Sequence, residues 1–276
     1  MSRFAVVGHV EWVDFVRVER VPEAGEIVTA EGDFAEPAGG GAVAAVTFAR
    51  LAGACTFFTA LGDDELGHRA VKRLTELGVR VEVAWRAQPQ RRAWTFVDAA
   101  GERTITVIGE KLRPCAEDPL PWVELSLADG AFFVAGDGDA LREARRAATL
   151  TATPRELETL AAAGVALDTL VGSGRDPSER YEPGDIEPPP RLAVATQGER
   201  GGEYTTGERS GRYDAAAVPG PIADSYGCGD SFAAGLTFAL ARGEEVEAAL
   251  EFAAHCGASC LTGSGPYGRQ RGAQSP

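Results

Sequence analysis

The chain has 276 residues, of which 44% are hydrophobic and 25% are charged, and its formal net charge is −14. These values are typical of a folded globular protein with a sizeable core, and they exclude an intrinsically disordered chain. The acidic balance argues against a nucleic-acid partner, which would need a basic face. It also implies that any anionic substrate must be held by a local cluster of positive charge.

The cysteines and the apolar runs predict a cytoplasmic protein. Five cysteines occur without a CxxC pair, so neither a disulfide framework nor a zinc site is expected. The histidines are scattered without the spacing of a metal site, and core or surface positions are expected for them. The first residues lack the pattern of a signal peptide, and no apolar run is long enough to cross a membrane. We therefore expect free thiols in a reducing compartment and no membrane partner.

The first part of the chain alternates predicted strands and helices. A short apolar run, RFAVVGHV, predicts a buried strand. Further on, PAGGGAVAAVTFARLAG predicts a glycine-rich turn and an alanine-rich helix that ends at Gly53. A second strand (CTFFTAL), an amphipathic helix (HRAVKRLTELG) and a third strand (VRVEVAW) follow. This alternation is typical of a doubly wound parallel sheet.

Two segments interrupt this alternation. Residues 11–34 are polar and apolar by turns around Pro22 and Gly25, and residues 93–108 predict a hairpin around an AAGE turn. The sequence thus predicts a core of residues 1–9, 36–82 and 109–276, with residues 10–35 and 83–108 forming a discontinuous lid. A small sheet of this kind can cover the carboxyl ends of the core strands, where such folds bind ligands.

The second half returns to the α/β pattern. Strands are predicted at AFFVA (131–135), near 167–171 and at RLAVAT, with a hairpin in GGEYTTGERSGRYDAAAV. The segment TPRELETLAAAG predicts one helix, with Thr153 as N-cap and Glu156 completing a capping box. Residues 172–190 predict a loop, and residues 230–242 and 246–261 predict the last two helices.

The stretch DSYGCGDSFAAG, residues 224–235, has the composition of a phosphate-binding helix start. Glycines at 227 and 229 let an anion approach the backbone, and a helix start offers free N–H groups and a positive dipole end. A carboxylate there would repel a bound phosphate unless Asp230 accepts the proton of an attacking hydroxyl. The alternative is that Asp230 is only an N-cap beside a tight turn.

Several motifs in the same order resemble the ribokinase/PfkB family of carbohydrate kinases over nearly the full length. DSYGCGDSFAAG resembles the family's D-T-x-G-A-G-D signature, with Ser225 for Thr and Cys228 for Ala. The triple glycine before AVAAVTFARLAG, the turn GDDELG, and the segments VPEAGEIV, GERTITV and TQGERGGEY resemble its other motifs. The resemblance implies an α/β, ribokinase-like fold, a doubly wound, mostly parallel sheet with a small antiparallel β lid.

The resemblance also implies roles on the phosphoryl-transfer side. Asp230 would be the catalytic base, and Gly227, Cys228 and Gly229 would form the anion hole. Asp224 would lie near the phosphates and a monovalent cation such as K+. The residues implied to line the nucleotide are Thr196, Gly198, Gly201, His255, Ser259 and Gly265. ATP would bring Mg²⁺, and Asp176 in Ser173-Gly174-Arg175-Asp176 stands where the family has its magnesium-linked N-x-x-E motif.

The acceptor side departs from the family pattern. Val43 stands where the resemblance places a sugar-binding Asn, and Val13 where it places an Asp. The remaining substrate candidates are Glu11, Asp14, Gly39, Gly40, Gly41 and Arg103. For Glu11 and Arg103 an ordinary exposed position is the alternative.

These observations predict an ATP-dependent phosphotransferase that acts on an alcohol of a small sugar or sugar-like molecule. The alternatives are a nucleoside kinase of the same fold, or a family member that has lost catalysis and binds a ligand in a regulatory role. Because a small inserted sheet has exposed edges and an apolar face, we also expect a homodimer through the lid.

Overall fold

The structure, a computed structural model, describes residues 3–207 and 209–270. Within these residues the strands are β1 (Phe4–His9), β2 (Glu11–Arg17), β3 (Gly32–Ala38), β4 (Cys55–Gly62), β5 (Val79–Arg86), β6 (Arg92–Val97), β7 (Arg103–Ile108), β8 (Gly130–Phe133), β9 (Thr149–Ala152), β10 (Thr169–Ser173), β11 (Leu192–Thr196), β12 (Gly202–Thr206) and β13 (Ser210–Tyr213). The α-helices are α1 (Gly40–Ala52), α2 (Glu65–Glu76), α3 (Gly138–Ala144), α4 (Leu157–Ala163), α5 (Cys228–Ala241) and α6 (Val246–Cys260). None of the described helices is long and apolar enough to span a membrane.

The larger sheet has nine strands in the order β13-β12-β11-β10-β9-β8-β1-β4-β5. The seven strands from β11 to β5 pair in parallel, and β12 and β13 add an antiparallel edge. Alternate residues of β1 pack on opposite faces, Phe4 and Val6 against α1 and α5, Ala5 and Val7 against α3. A strand that is covered on both faces is apolar throughout, which explains the continuous apolar run RFAVVGHV from which β1 was predicted. The predicted doubly wound α/β core is confirmed.

The smaller sheet has the order β3-β2-β6-β7. The pairs β2–β3 and β6–β7 are antiparallel, and β2 joins β6 in parallel. The two segments that interrupt the α/β pattern therefore pair with each other, as expected. Residues 83–86, which were assigned to the lid, instead pair with β4 in the large sheet, and residues 36–38, which were assigned to the core, complete β3. In the structure a strand ends at its last paired residue. The sequence shows only where the hydrophobic pattern changes, so the two boundaries differ by a few residues.

The segment after β9 differs from its prediction. A single turn of 3₁₀ helix, Pro154–Glu156, precedes α4, and Thr153 Oγ1 accepts its hydrogen bond from the Arg155 N–H. The Glu156 carboxylate does not complete a capping box, because it accepts a hydrogen bond from Lys111 Nζ at 2.9 Å. The short elements α3 and β9 also escaped prediction, since seven and four residues carry too little periodicity.

We predict that Gly62 at the end of β4 tolerates no side chain. A Cβ there would overlap the backbone N of Gln90 and lie 2.8 Å from the backbone O of Gln88. Gly62→Ala should therefore lower the free energy of unfolding by about 1–3 kcal/mol, because backbone must move to make room. Gly32→Ala is the control, since a Cβ at Gly32 meets nothing within 4 Å. Equal stability of the two variants in urea denaturation would contradict this account.

Candidate active site

The candidate site lies at the carboxyl edge of the large sheet. His9, Ser173 and Thr196 end β1, β10 and β11, and parallel pairing brings these ends to one edge. The lid reaches the turn before α5, because the Ser225 N–H donates to Gly101 O at 3.0 Å and Arg103 Nη1 donates to Ser225 Oγ at 3.1 Å. The sheet edge, the start of α5 and the lid therefore enclose one cleft.

The glycine turn leaves the first N–H groups of α5 without a side-chain cap. Gly227 is the N-cap in the left-handed region (φ 77°), and no side chain caps the helix. A Cβ on Gly227 would also lie 2.8 Å from Val43 Cγ1. The first intrahelical bond runs from the Ser231 N–H to Gly227 O. Asp230 lies inside the helix and is not its N-cap, which removes that alternative reading of the motif.

The Asp230 carboxylate is crowded by the protein. A Cβ at Gly40 would lie 2.7 Å from Asp230 Oδ1, so only glycine leaves space for the carboxylate. Burial, and after it the negative charge of Glu179, raise the pKa of Asp230 to about 6 against the opposing charge of Arg155. Part of the residue still faces the cleft. A carboxylate that takes up a proton near neutral pH is suited to general-base work.

Asp224 is buried and held by backbone donors. Its Oδ1 accepts from the Tyr226 N–H at 2.8 Å, and its Oδ2 accepts from the Gly265 N–H at 2.9 Å. Burial raises the pKa of this carboxyl against those two bonds. Gly265 has φ 66°, and a Cβ there would lie 2.7 Å from Phe34 of the lid. Asp224 thus ties the glycine turn to the loop after α6 and, through that loop, to the lid.

On the nucleotide side, Thr196 ends β11 and a turn follows. Gly198 and Gly201 have φ 63° and 73°, and a side chain on Gly201 would overlap Tyr213 O. The Gly174 N–H donates to Thr196 O at 2.8 Å, which joins this turn to the loop after β10. A Cβ on Gly198 would lie 3.1 Å from Nη1 of Arg175, a cation that sequence analysis did not single out. Because its glycines carry no side chain, such a turn allows a ligand to approach its backbone closely.

The predicted adenine-side residues lie on or near α6. His255 and Ser259 are in α6, which packs along α5, and His255 is exposed. A Cβ on Gly257 would lie 3.3 Å from Cys228 O, so α6 approaches the first turn of α5 closely. The structure therefore brings α6 close to the start of α5, where the anion hole is predicted.

Two carboxylates share Arg155 after β10. Asp176 Oδ2 and Glu179 Oε1 each lie 2.6 Å from Arg155 Nη2, and Glu179 Oε2 accepts from the Ser173 N–H at 2.7 Å. Glu179, which the sequence analysis missed, is the carboxylate whose charge acts most on Asp230. The available sequence signal for Glu179 was its position three residues after Asp176, in the next turn. No described group of three or more His, Cys, Asp or Glu side chains could hold a metal alone. Two carboxylates suit Mg²⁺ that is bound mainly by nucleotide phosphates.

His9 and Glu11 lie together beside Gly39, on the predicted acceptor side. Arg91 Nε lies 2.8 Å from Glu11 Oε1, and His9 Nε2 lies 3.8 Å from the same oxygen. A Cβ at Gly39 would meet His9 Nε2 at 3.3 Å and Glu11 Cγ at 3.4 Å. Glu11 is 7% exposed, and its pKa is raised because burial outweighs the effect of Arg91. Glu11 is therefore not an ordinary surface carboxylate, and Arg91 and His9 join the site although sequence analysis did not place them there.

Three positions considered for the acceptor side supply no polar side chain there. Asp14 lies on the opposite face of β2 from Glu11, because side chains alternate along a strand, and it pairs with Arg92 at 3.1 Å. Asp14 is therefore not brought to the site. Val13 and Val43 are both 0% exposed in the core. Val13 shares the face of β2 with Glu11, and Val43 packs against Gly227, so neither position supplies a polar group beside these residues.

Comparisons with known proteins agree with this geometry. The model of the pfkB family of carbohydrate kinases matches residues 1–179 and 183–270. An ATP-dependent ribose-1-phosphate kinase of Halopiger xanaduensis is 29% identical over 94% of this chain and 91% of its own. Probable fructokinase-5 of Arabidopsis thaliana is 26% identical over 90% of each chain.

Solved structures share the fold. Ribokinase of Thermotoga maritima superimposes with a TM-score of 0.78 at 19% identity, over 99% of this chain and 97% of its own. Ribokinase of Arabidopsis thaliana, complexed with ribose and ATP, superimposes with a TM-score of 0.73 at 18% identity, over 98% and 96%. The resemblance seen in the motifs is thus confirmed by sequence and by fold, and the chain belongs to the PfkB family of carbohydrate kinases.

Proposed function

We propose that this carbohydrate kinase transfers the γ-phosphoryl group of Mg-ATP to an alcohol of a small sugar or sugar-like molecule, with Asp230 as general base. The observation that carries the proposal is the placement of Asp230. A carboxylate with its pKa raised to about 6 lies in the first turn of a helix whose N-terminal N–H groups have no side-chain cap. A proton acceptor and donors for phosphoryl oxygens are the two elements that this reaction needs.

The chemistry then divides among the chain's own groups. The acceptor hydroxyl attacks the γ-phosphorus, its proton passes to Asp230, and the bond to the ADP oxygen breaks. The N–H groups of Gly227, Cys228 and Gly229 donate to the transferred group, whose charge the helix dipole also stabilises. Asp176 and Glu179 would hold the Mg²⁺ that accompanies ATP, whose charge neutralises phosphate oxygens.

The nucleotide is proposed to lie between two groups of residues. The turn of Thr196, Gly198 and Gly201 lies on one side, and His255, Ser259 and Gly265 lie toward the adenine. Asp224 supports the site by fixing the glycine turn, with a monovalent cation such as K+ beside it. The substrate side comprises Glu11, the triple glycine at residues 39–41, and Arg103 from the lid.

A purely ligand-binding role has less support. It was favoured by Val13 and Val43, which supply no polar group to a sugar. A binding protein, however, has no need of a crowded carboxylate with a raised pKa at the phosphoryl site. A nucleoside acceptor would use the same base and anion hole, and an acceptor panel that includes nucleosides distinguishes it.

We place the protein in the cytoplasm, without a nucleic-acid or membrane partner. None of the five cysteines forms a disulfide, which is compatible with a reducing compartment that supplies ATP. The exposed apolar side chains of the lid further suggest a homodimer. Four of them, Trp94, Ile105, Val107 and Ile108, are each 41–48% exposed on β6 and the edge strand β7.

Asp230→Asn should reduce kcat for ADP formation with a turned-over sugar by about 10²–10⁴-fold, because the hydroxyl loses its proton acceptor. Asp139→Asn, an exposed carboxylate on α3, is the matched control and should keep full activity. Undiminished turnover by Asp230→Asn would contradict the assignment of the base.

The pH dependence follows from the same carboxyl. Because the base must be ionised, kcat/KM should fall about tenfold per pH unit below pH 6. The folded-state pKa is raised from 3.8 to about 6, so the carboxyl's stabilising contribution exists below pH 4 and is lost as the pH rises toward 6. Asp230→Asn should therefore unfold at a higher temperature than wild type above pH 6, and this difference should vanish near pH 4.

Gly229→Ala should separate folding from phosphoryl binding. A Cβ at Gly229 meets no protein atom within 4 Å, so the variant should fold with undiminished stability. We expect its kcat/KM to fall by about tenfold or more, because the methyl group intrudes where the transferred group lies. Gly227→Ala, with positive φ and a close contact to Val43, should instead lose stability. Full activity of Gly229→Ala would place the phosphoryl group elsewhere.

Light scattering should give twice the mass of one chain. Replacing Trp94 or Ile108 by Glu should produce monomers, because the charge would be buried in the lid interface. Val123→Glu, at a residue 66% exposed on the 3₁₀ helix Trp122–Leu127, should leave the dimer intact. A monomeric wild-type protein would reject the dimer.

A further inference from the structure

Cationic side chains from separate segments converge near His9, at the carboxyl edge of the large sheet. Arg91 precedes β6, Lys111 and Arg113 follow β7, and Arg155 follows β9. Burial together with the charges of these four residues lowers the pKa of His9 well below its ordinary value, so all four act on one point. This concentration stands out in a chain of net charge −14 that has only two lysines.

The carboxylates nearby do not cancel the cluster formed by Arg91, Lys111 and Arg113. Arg91 pairs with Glu11 at 2.8 Å, whereas Lys111 and Arg113 share Glu156 at 2.9 and 3.8 Å. Three cations therefore face two carboxylates. Arg155 is held separately by Asp176 and Glu179 on the nucleotide side.

Glu156 orients this cluster. Its side chain is 4% exposed, and it binds Lys111 where the sequence pattern predicted a helix-capping role. A buried carboxylate that bridges two cations fixes their positions, and their remaining donors are left for another anion. Lys111 and Arg113 are more exposed than Glu156, at 23% and 45%.

A polar atom at the same place lacks a partner. Among the described residues, Nδ1 of His9 is buried without a hydrogen-bond partner, and His9 as a whole is 8% exposed. A buried imidazole nitrogen is costly unless a ligand or water completes its bonding. His9 lies 3.8 Å from Glu11 and next to Gly39, two residues of the proposed substrate side.

We propose that the acceptor carries a phosphate group of its own and that Arg91, Lys111 and Arg113 bind this phosphate, while a hydroxyl elsewhere on the sugar faces Asp230. The proposal rests on the proposed kinase function and names its substrate class, the sugar monophosphates. The new P–O bond forms as the γ-phosphoryl bond to ADP breaks, and the hydroxyl proton goes to Asp230, so the products are a sugar bisphosphate and ADP. Guanidinium groups match the paired oxygens of a phosphate, which favours phosphate over a neutral sugar.

Binding measurements test this without requiring turnover. Calorimetry in the presence of saturating Mg-ADP, which occupies the nucleotide side, compares four sugar phosphates with their free sugars: ribose 1-phosphate, ribose 5-phosphate, fructose 1-phosphate and fructose 6-phosphate. Ribose 1-phosphate is included because the name of one relative contains it. We expect at least one phosphate to bind wild type about tenfold or more tightly than its free sugar.

Variants assign that preference to the cluster. Lys111→Met and Arg113→Gln should each weaken binding of the sugar phosphate by about tenfold and leave free-sugar binding unchanged. Arg91→Gln should also weaken binding of the sugar phosphate, but it leaves Glu11 of the proposed substrate side unpaired, so free-sugar binding is expected to change as well and circular dichroism checks its fold. Arg92→Gln is the matched control, since this neighbouring arginine lies on the opposite face of the lid and pairs with Asp14.

The outcomes separate this proposal from the kinase function. Equal affinity for sugar and sugar phosphate would overturn the phosphate site. So would tighter binding of ribonate, a sugar acid without phosphate, than of any sugar phosphate. Equal losses of affinity in the cluster variants and in Arg92→Gln would also overturn it. Tight phosphate-dependent binding without ADP formation would leave the phosphate site standing and reject the phosphoryl transfer. Turnover of free sugars without a preference for phosphates would do the reverse.

Discussion

The close approach of the start of α1 to the start of α5 sets the geometry of the whole site. Gly40 has no Cβ and therefore admits the Asp230 carboxylate, while Gly227 fits against Val43 in the left-handed conformation. This contact crowds the carboxylate, which raises its pKa, and it leaves the first N–H groups of α5 without a side-chain cap. Gly39 lies against His9 and Glu11, so the same glycine turn places the proposed acceptor side beside the proposed base.

Two separate groups of cations lie in the cleft of this acidic chain. Arg155 holds Asp176 and Glu179 on the nucleotide side, and the cluster of Arg91, Lys111 and Arg113 lies on the acceptor side. Each cation is fixed by a carboxylate, so the positive charge is positioned before a ligand arrives. Such preorganisation favours anionic ligands without the cost of rearranging side chains on binding.

The sequence predicted the architecture and the enzyme family better than the side-chain pairings around the candidate site. Strand–helix alternation and the glycine pattern at residues 224–235 depend on local periodicity and turn chemistry, which a sequence displays directly. Asp14 was considered with Glu11, although strand alternation sends the two to opposite faces. Glu156 was assigned a capping role and Glu179 was missed, because their partners, Lys111 and Arg155, lie 45 and 24 positions away in the chain. Pairings across such distances become visible only when the strands are assembled.

The central claim is that the phosphoryl group is transferred at the start of α5 with Asp230 as its base. A crystal structure with ADP, aluminium fluoride and a bound acceptor tests it most directly, because the fluoride complex mimics the transferred group. The account predicts that the fluorides accept hydrogen bonds from the N–H groups at residues 227–229 and that the acceptor oxygen lies within hydrogen-bond distance of the Asp230 carboxylate. A fluoride complex bound away from α5, with another residue nearest the acceptor oxygen, would contradict it.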